Sequence, residues 1–148
     1  PAAERPDPPL PVDASDHGSD TGEAETHKAW HRQHEAIGID ERQDIISDKG
    51  TEVYSYLQHR GIEHLLIMGV HTNMCVLHRT FAIKQMVRWG VDVALIRDLT
   101  DAMYNPAMPP YVGHAEGTGL VIEFIEKFWC PSVGSGDILN FRSPLPKL

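Results

Sequence analysis

Two short apolar stretches, "IEHLLIMGV" and "VDVALIRD", stand on either side of a segment with helical spacing, "CVLHRTFAIKQMVRWG". Leu65 to Met68 is a continuous apolar run rather than an alternating one, the pattern of a strand buried on both faces in a parallel sheet. In the intervening segment Val76, Thr80, Ile83 and Val87 line one stripe, Leu77 and Phe81 lie beside it, and Gly90 ends it. Parallel strands cannot be joined by a hairpin and need a crossover, usually a helix. Strand, helix of about four turns, strand therefore predicts a βαβ unit and an α/β domain.

The flanks extend that unit. "DKGTEVYSYLQHRG" predicts a helix of about ten residues, with Val53, Tyr56 and Leu57 on one face and Gly61 closing it in the left-handed conformation. "GTGLVIEFIEKFW" predicts a further amphipathic helix with Leu120, Ile125 and Phe128 inward and Glu123, Glu126 and Lys127 more exposed. "CPSVGSGDIL" reads as a short edge strand and tail, where Pro131 is tolerated because an edge needs no donor from it. Residues 1–44 differ in kind. They are rich in Pro, Asp, Ser, Gly and Glu, lack periodicity and offer little to bury, so an extended or disordered segment is expected, with "AIGID" as a candidate short strand. Residues 45–148 then form the α/β domain.

Bulk properties exclude some roles. The net charge of −8 argues against a nucleic-acid backbone or an anionic membrane as partner. No apolar run approaches the ~20 residues of a membrane span, and no signal-peptide pattern is visible. Two cysteines, Cys75 and Cys130, do not make a disulfide framework, which favours a reducing compartment and the cytoplasm. The chain begins with Pro1, which favours a processed or partial N-terminus.

Cys75 falls just past the carboxyl end of a predicted central strand and in the first turn of the next helix. Open α/β sheets bind ligands at that rim. The start of a helix offers partial positive charge and unpaired N–H groups, so a thiol there is a better nucleophile and an oxyanion finds donors. Thr72 or Asn73 can cap the helix. From spacing alone, the commoner fate of such a cysteine is a small buried residue of a core helix.

A resemblance adds to this. Gly69-Val70-His71-Thr72-Asn73-Met74-Cys75-Val76 resembles the "G-V-x-T-x-x-C-V" signature of the isochorismatase-like cysteine hydrolases, which include nicotinamidases, carbamoylsarcosine amidohydrolases and isochorismatases. "YLQHRGIEHLLIMGV", "RWGVDVALIRDLTDA" and "YVGHAEGTGLVIEFI" resemble the flanking segments of that family, and the similarity runs from about Asp44 to Cys130. The resemblance implies a Rossmann-like three-layer α/β/α fold with a mainly parallel sheet, incomplete at its N-terminus. It implies Cys75 as nucleophile in an Asp, Lys, Cys triad, a cis bond at Val70–His71, and the amides of His71 and Cys75 as oxyanion donors. The implied substrate is a small amide or related carbonyl compound, and no cofactor or metal is called for.

Two parts of that pattern are missing. No strand ends in the family's aspartate, since Asp13, Asp16 and Asp20 lie in Pro/Ser/Gly-rich sequence. Where the family's lysine is expected stands Ile39-Asp40-Glu41-Arg42, and arginine is no proton shuttle. Lys49, the nearest lysine, is expected to face solvent. Without the first strand, the cysteine strand keeps an open apolar edge, which invites aggregation or a homo-oligomer.

Other residues divide between function and structure. Thr72, Asn73, Asp98, Tyr104 and His114 are the candidate substrate contacts. For Asp98 a loop-start hydrogen bond is an equal alternative, and for His114 a helix cap. His27, His31 and His34 have the spacing of a metal-binding face, but lie in polar sequence and read as solvated. Trp89, Trp129 and Cys130 read as packing. The function expected is a cysteine hydrolase. A catalytically impaired relative that serves as a binding or assembly module is the alternative, and a generic nucleotide-binding domain is disfavoured because no Gly-rich phosphate loop follows a strand.

Overall fold

A computed structural model describes residues 7–18 and 32–140. The elements run α1 (Gly50–Arg60), β1 (His64–Val70), α2 (Cys75–His78), α3 (Ile83–Arg88), β2 (Asp92–Asp101), α4 (His114–Phe128), β3 (Ser132–Val133) and α5 (Ser135–Asn140). The three strands form one parallel sheet in the order β1-β2-β3, so the βαβ reading and the late edge strand both hold.

α1 ends as its sequence requires. Gly61 takes φ 64° and ψ 32°, and the Ile62 amide returns to the Leu57 carbonyl at 2.9 Å. A side chain at Gly61 would force a β-carbon into that left-handed geometry.

The long helix expected after Cys75 is broken. α2 makes one turn, Arg79 leaves it in an extended conformation, and α3 starts only at Ile83. The break frees the Thr80 hydroxyl, which accepts the Gly50 amide at 3.0 Å. That amide is one of the unpaired donors at the start of α1, and Lys49 supplies no side-chain cap for it. Thr80, a β-branched residue of modest helix propensity, thus serves the neighbouring helix instead of its own.

β1 is not buried on both faces. Leu65 and Ile67 pack against the core, whereas Leu66 (46% exposed), Met68 (60%) and Val70 (61%) point outward. Helices cover one face of β1, and no described strand pairs with its outer edge. The core itself joins Leu77, Ile83 and Met86 from the crossover, Val93 and Leu95 from β2, and Val121, Phe124 and Ile125 from α4. On α4 the inward stripe is therefore Gly117, Val121, Phe124 and Ile125; Leu120 is partly buried and Phe128 is exposed.

The described part of the N-terminal segment has no helix or strand, and Ala36–Asp40 forms no strand. It is nevertheless attached. Val12 is buried in the core, the Asp13 amide donates to the Pro109 carbonyl at 2.9 Å, and Asp7 pairs with the buried Lys84 at 2.6 Å. The expectation that this segment has little to bury fails at Val12 and at Leu10, two aliphatic residues set among prolines, which pack into and against the core.

Candidate active site

The register of β1 against β2 sets the position of the cysteine loop. Pairing runs evenly from His64↔Asp92 to Ile67↔Leu95, then jumps to Gly69↔Thr100 and Val70↔Asp101. One residue of β1, Met68, therefore stands opposite four of β2. This bulge carries β2 past Asp98 to Asp101 and brings its end beside the loop that follows β1.

Loop residues 70–75 are tied to that end. The Val70–His71 peptide bond is cis. The Thr72 amide donates to the Asp101 carbonyl at 2.8 Å. The hydroxyls of Thr72 and Thr100 lie 2.7 Å apart, and Thr100 Oγ1 donates to the Gly69 carbonyl at 2.8 Å. Asn73 bonds both backbone groups of Met103: its Nδ2 donates to the carbonyl at 3.0 Å, and its Oδ1 accepts the amide at 2.8 Å. Thr72 and Asn73 are almost fully buried and neither caps α2. Their side chains hold the loop to β2. The amides of Met74 and Val76 donate to the His71 carbonyl, while those of His71 and Cys75 donate to no described residue.

Cys75 is partly exposed and borders two clefts. The larger, of about 500 Å³, has apolar walls from Leu10, Ala14 and Met74, and Asn73, His78 and Arg79 on its polar side. The other, of about 320 Å³, runs along the exposed face of β1 to Phe81. Among the described residues no carboxylate and no lysine lines either one. Cys130 is different. It is buried in the core, which pushes its thiol up to about 11.

The remaining candidates are distributed as follows. Tyr104 is 1% exposed, and its hydroxyl donates to the Met108 carbonyl and accepts the Val112 amide, so it shapes a loop from inside. Asp98 accepts both the amide and the hydroxyl of Ser135 at the start of α5. Those hydrogen bonds hold its carboxyl below the usual range. Asp101, which the sequence reading passed over, occupies the position at the strand end. Its Oδ1 accepts His114 Nε2–H at 2.9 Å and the Thr118 hydroxyl at 3.0 Å. Partial burial pushes the Asp101 carboxyl up, but these hydrogen bonds outweigh it and the net shift is downward. His114 Nδ1 lies 2.8 Å from the Tyr104 carbonyl. With an acceptor at each nitrogen the charged form of His114 is favoured, and the Tyr104 carbonyl followed by Asp101 raises its pKa. Tyr104, Asp98 and His114 line neither cleft beside Cys75. Lys49 is exposed and pairs with Glu52 at 3.2 Å.

His78 and Arg79 were legible in principle, standing three and four residues beyond the cysteine. The pairing of Asp7 with Lys84, across 77 residues, carried no local signal. His27 and His31 of the histidine trio lie outside the described residues, and His34 is exposed. Among the described residues no group of three or more His, Cys, Asp or Glu is placed to hold a metal ion, and no helix is long and apolar enough to cross a membrane.

Residues 12–107, well over half of the chain, match the model of the isochorismatase domain. With its parallel α/β sheet, the chain belongs to the isochorismatase-like hydrolase family, whose members act on small molecules. No curated protein and no solved structure matches it.

Proposed function

We propose that the chain is a cysteine hydrolase acting on a small amide or related carbonyl compound, with Cys75 as nucleophile. The observation that carries this reading is a partly exposed thiol, on a loop anchored to the carboxyl ends of two parallel strands, opening onto a cleft large enough for a small molecule. The sulfur attacks the carbonyl carbon. The unpaired amides of His71 and Cys75 supply donors for the developing oxyanion. Collapse of the tetrahedral intermediate expels the amine or alcohol, and water hydrolyses the thioester. α2 is only one turn long, so the field at Cys75 comes from these local amides more than from a helix macrodipole.

One observation favours a second reading. Among the described residues neither cleft beside Cys75 is lined by a carboxylate or a lysine to move the proton, as expected of a relative kept as a binding module. Alkylation by iodoacetamide at pH 7 separates the two, with buried Cys130 as an internal control. The enzyme reading expects Cys75 to react faster than a model thiol. A rate equal to or below the model thiol overturns it in favour of the module.

A further inference from the structure

The larger cleft differs in charge from the molecule around it. The chain carries −8, yet the one charged side chain among the described residues lining this cleft is the guanidinium of Arg79. Arg79 is exposed, and its side chain forms no ion pair or hydrogen bond with a described residue. An unpaired guanidinium over an apolar recess is a fork for a planar anion.

His78 supplies the second donor. Lys84, 6% exposed, is held at 2.6 Å by Asp7, and its Nζ lies 3.4 Å from His78 Nδ1. An ammonium can only donate, so Nδ1 is the acceptor and the ring proton sits on Nε2. Desolvation first, then the Lys84 charge, lowers the His78 pKa, with Asp7 opposing, which keeps the ring neutral. Nε2–H donates to no described residue. In this tautomer His78 cannot take a proton from Cys75 through Nε2. It is an uncharged donor on the same cleft as the sulfur. Asn73 lines the cleft too, but its amide is committed to Met103.

We propose that the Cys75 cleft takes substrates bearing a carboxylate, which Arg79 anchors while His78 Nε2–H holds a second polar group of the substrate, so that the carbonyl carbon faces the sulfur and its oxygen the His71 and Cys75 amides. Leu10, Ala14 and Met74 then accept a small apolar body rather than an extended polar chain. This rests on the reading of Cys75 as the reacting group and names the class of molecule brought to it.

Iodoacetate and iodoacetamide differ in charge at nearly constant shape, and each alkylates in the same way: a carbon–sulfur bond forms, the carbon–iodine bond breaks and iodide leaves. With a single anchoring contact assigned about tenfold, the rate ratio of iodoacetate to iodoacetamide at Cys75 should exceed the model-thiol ratio by about tenfold. Arg79→Gln should return it to the model-thiol value. A wild-type ratio equal to that of the model thiol, with iodoacetamide still fast, overturns the anchoring and leaves the nucleophile standing. Slow reaction with both reagents overturns the nucleophile instead. Anchoring is then read separately from calorimetric titration of the Cys75→Ser chain with N-acetylglycine and with N-acetylglycinamide. About tenfold tighter binding of the acid is expected, lost in the Arg79→Gln double variant. Equal binding of the two overturns the proposal. His78→Phe should weaken both probes and His78→Gln, which keeps an N–H, should restore them; an unchanged His78→Phe protein removes His78 from the proposal.

Discussion

Replacing Asn73 with alanine tests how the cysteine loop is held. Asn73 is 1% exposed and is the one side chain bonding both backbone groups of Met103, at 3.0 and 2.8 Å. Alanine removes both bonds at once and strands a partly buried amide and carbonyl that water reaches poorly. Leaving a buried polar group unpaired costs about 1–3 kcal/mol, and Met103 keeps partial access to solvent, so about 2–4 kcal/mol is expected for the pair. For a domain of this size that lowers the Tm by roughly 5–12 °C. Urea unfolding gives the same quantity as a shifted midpoint at constant slope. Asn73→Asp sharpens the test. A carboxylate still accepts the Met103 amide but sets a buried negative charge against the Met103 carbonyl, so at pH 7 it should cost at least as much as alanine, and less as the pH falls and the carboxyl takes up a proton that can donate to that carbonyl. Iodoacetamide reactivity of Cys75 should change in the alanine variant as well, because the loop carrying the sulfur is freed from β2. A loss below about 0.5 kcal/mol, within the range of an ordinary surface substitution, would refute the claim that Asn73 anchors the loop.

Three further outcomes are expected. A β-carbon at Gly117 would meet the Tyr104 ring at 2.3 Å, and that ring is pinned by its hydroxyl, so Gly117→Ala should destabilise by about 1–3 kcal/mol in urea unfolding. The Asp101–His114 pair makes stability depend on pH: the raised His114 pKa contributes fully below about 6.5 and is lost as pH climbs through its folded value, while the lowered Asp101 pKa contributes above about 3.9 and is lost as pH falls through its own folded value. Both groups are about half exposed, so raising the pH from about 6 to 9 should cost less than about 1 kcal/mol, and His114→Asn should abolish that step. Finally, if the exposed face of β1, whose outer edge meets no described strand, drives self-association in sedimentation velocity, Met68→Lys should reduce it by placing a charge there, and a chain that sediments as a monomer at all concentrations contradicts the idea.

Much of the fold was readable because its signals are local. Gly61 ends α1 through a backbone geometry that glycine alone adopts readily, and the apolar runs around Cys75 define a crossover between parallel strands. The failures involve residues whose partners are distant in sequence. Leu65–Met68 reads as doubly buried from composition, but burial on the second face depends on what covers it, and the described chain leaves Leu66 and Met68 open. Helical spacing continues unbroken through Thr80, yet its hydroxyl is used by Gly50, thirty residues earlier. The same holds at the site. The cysteine and its loop stand in one short motif, whereas the bulge that exchanges Asp98 for Asp101 at the strand end is a matter of register between two strands. On α4 the reading places Ile125 inward correctly, but it runs the stripe one turn too far, to Phe128, which lies beyond the core, and omits Phe124, four residues earlier on the same face.

The central claim is that Cys75 forms a bond to carbonyl carbon. Intact-mass and peptide analysis of the chain after brief exposure to p-nitrophenyl acetate reads that bond directly. The account predicts an acetyl group on Cys75, released again by water, with p-nitrophenol liberated through Cys75 and no acetyl on Cys130, and loss of the adduct in Cys75→Ser. A protein that carries no acetyl group at Cys75 while the exposed lysines are acetylated at their ordinary rate would contradict it.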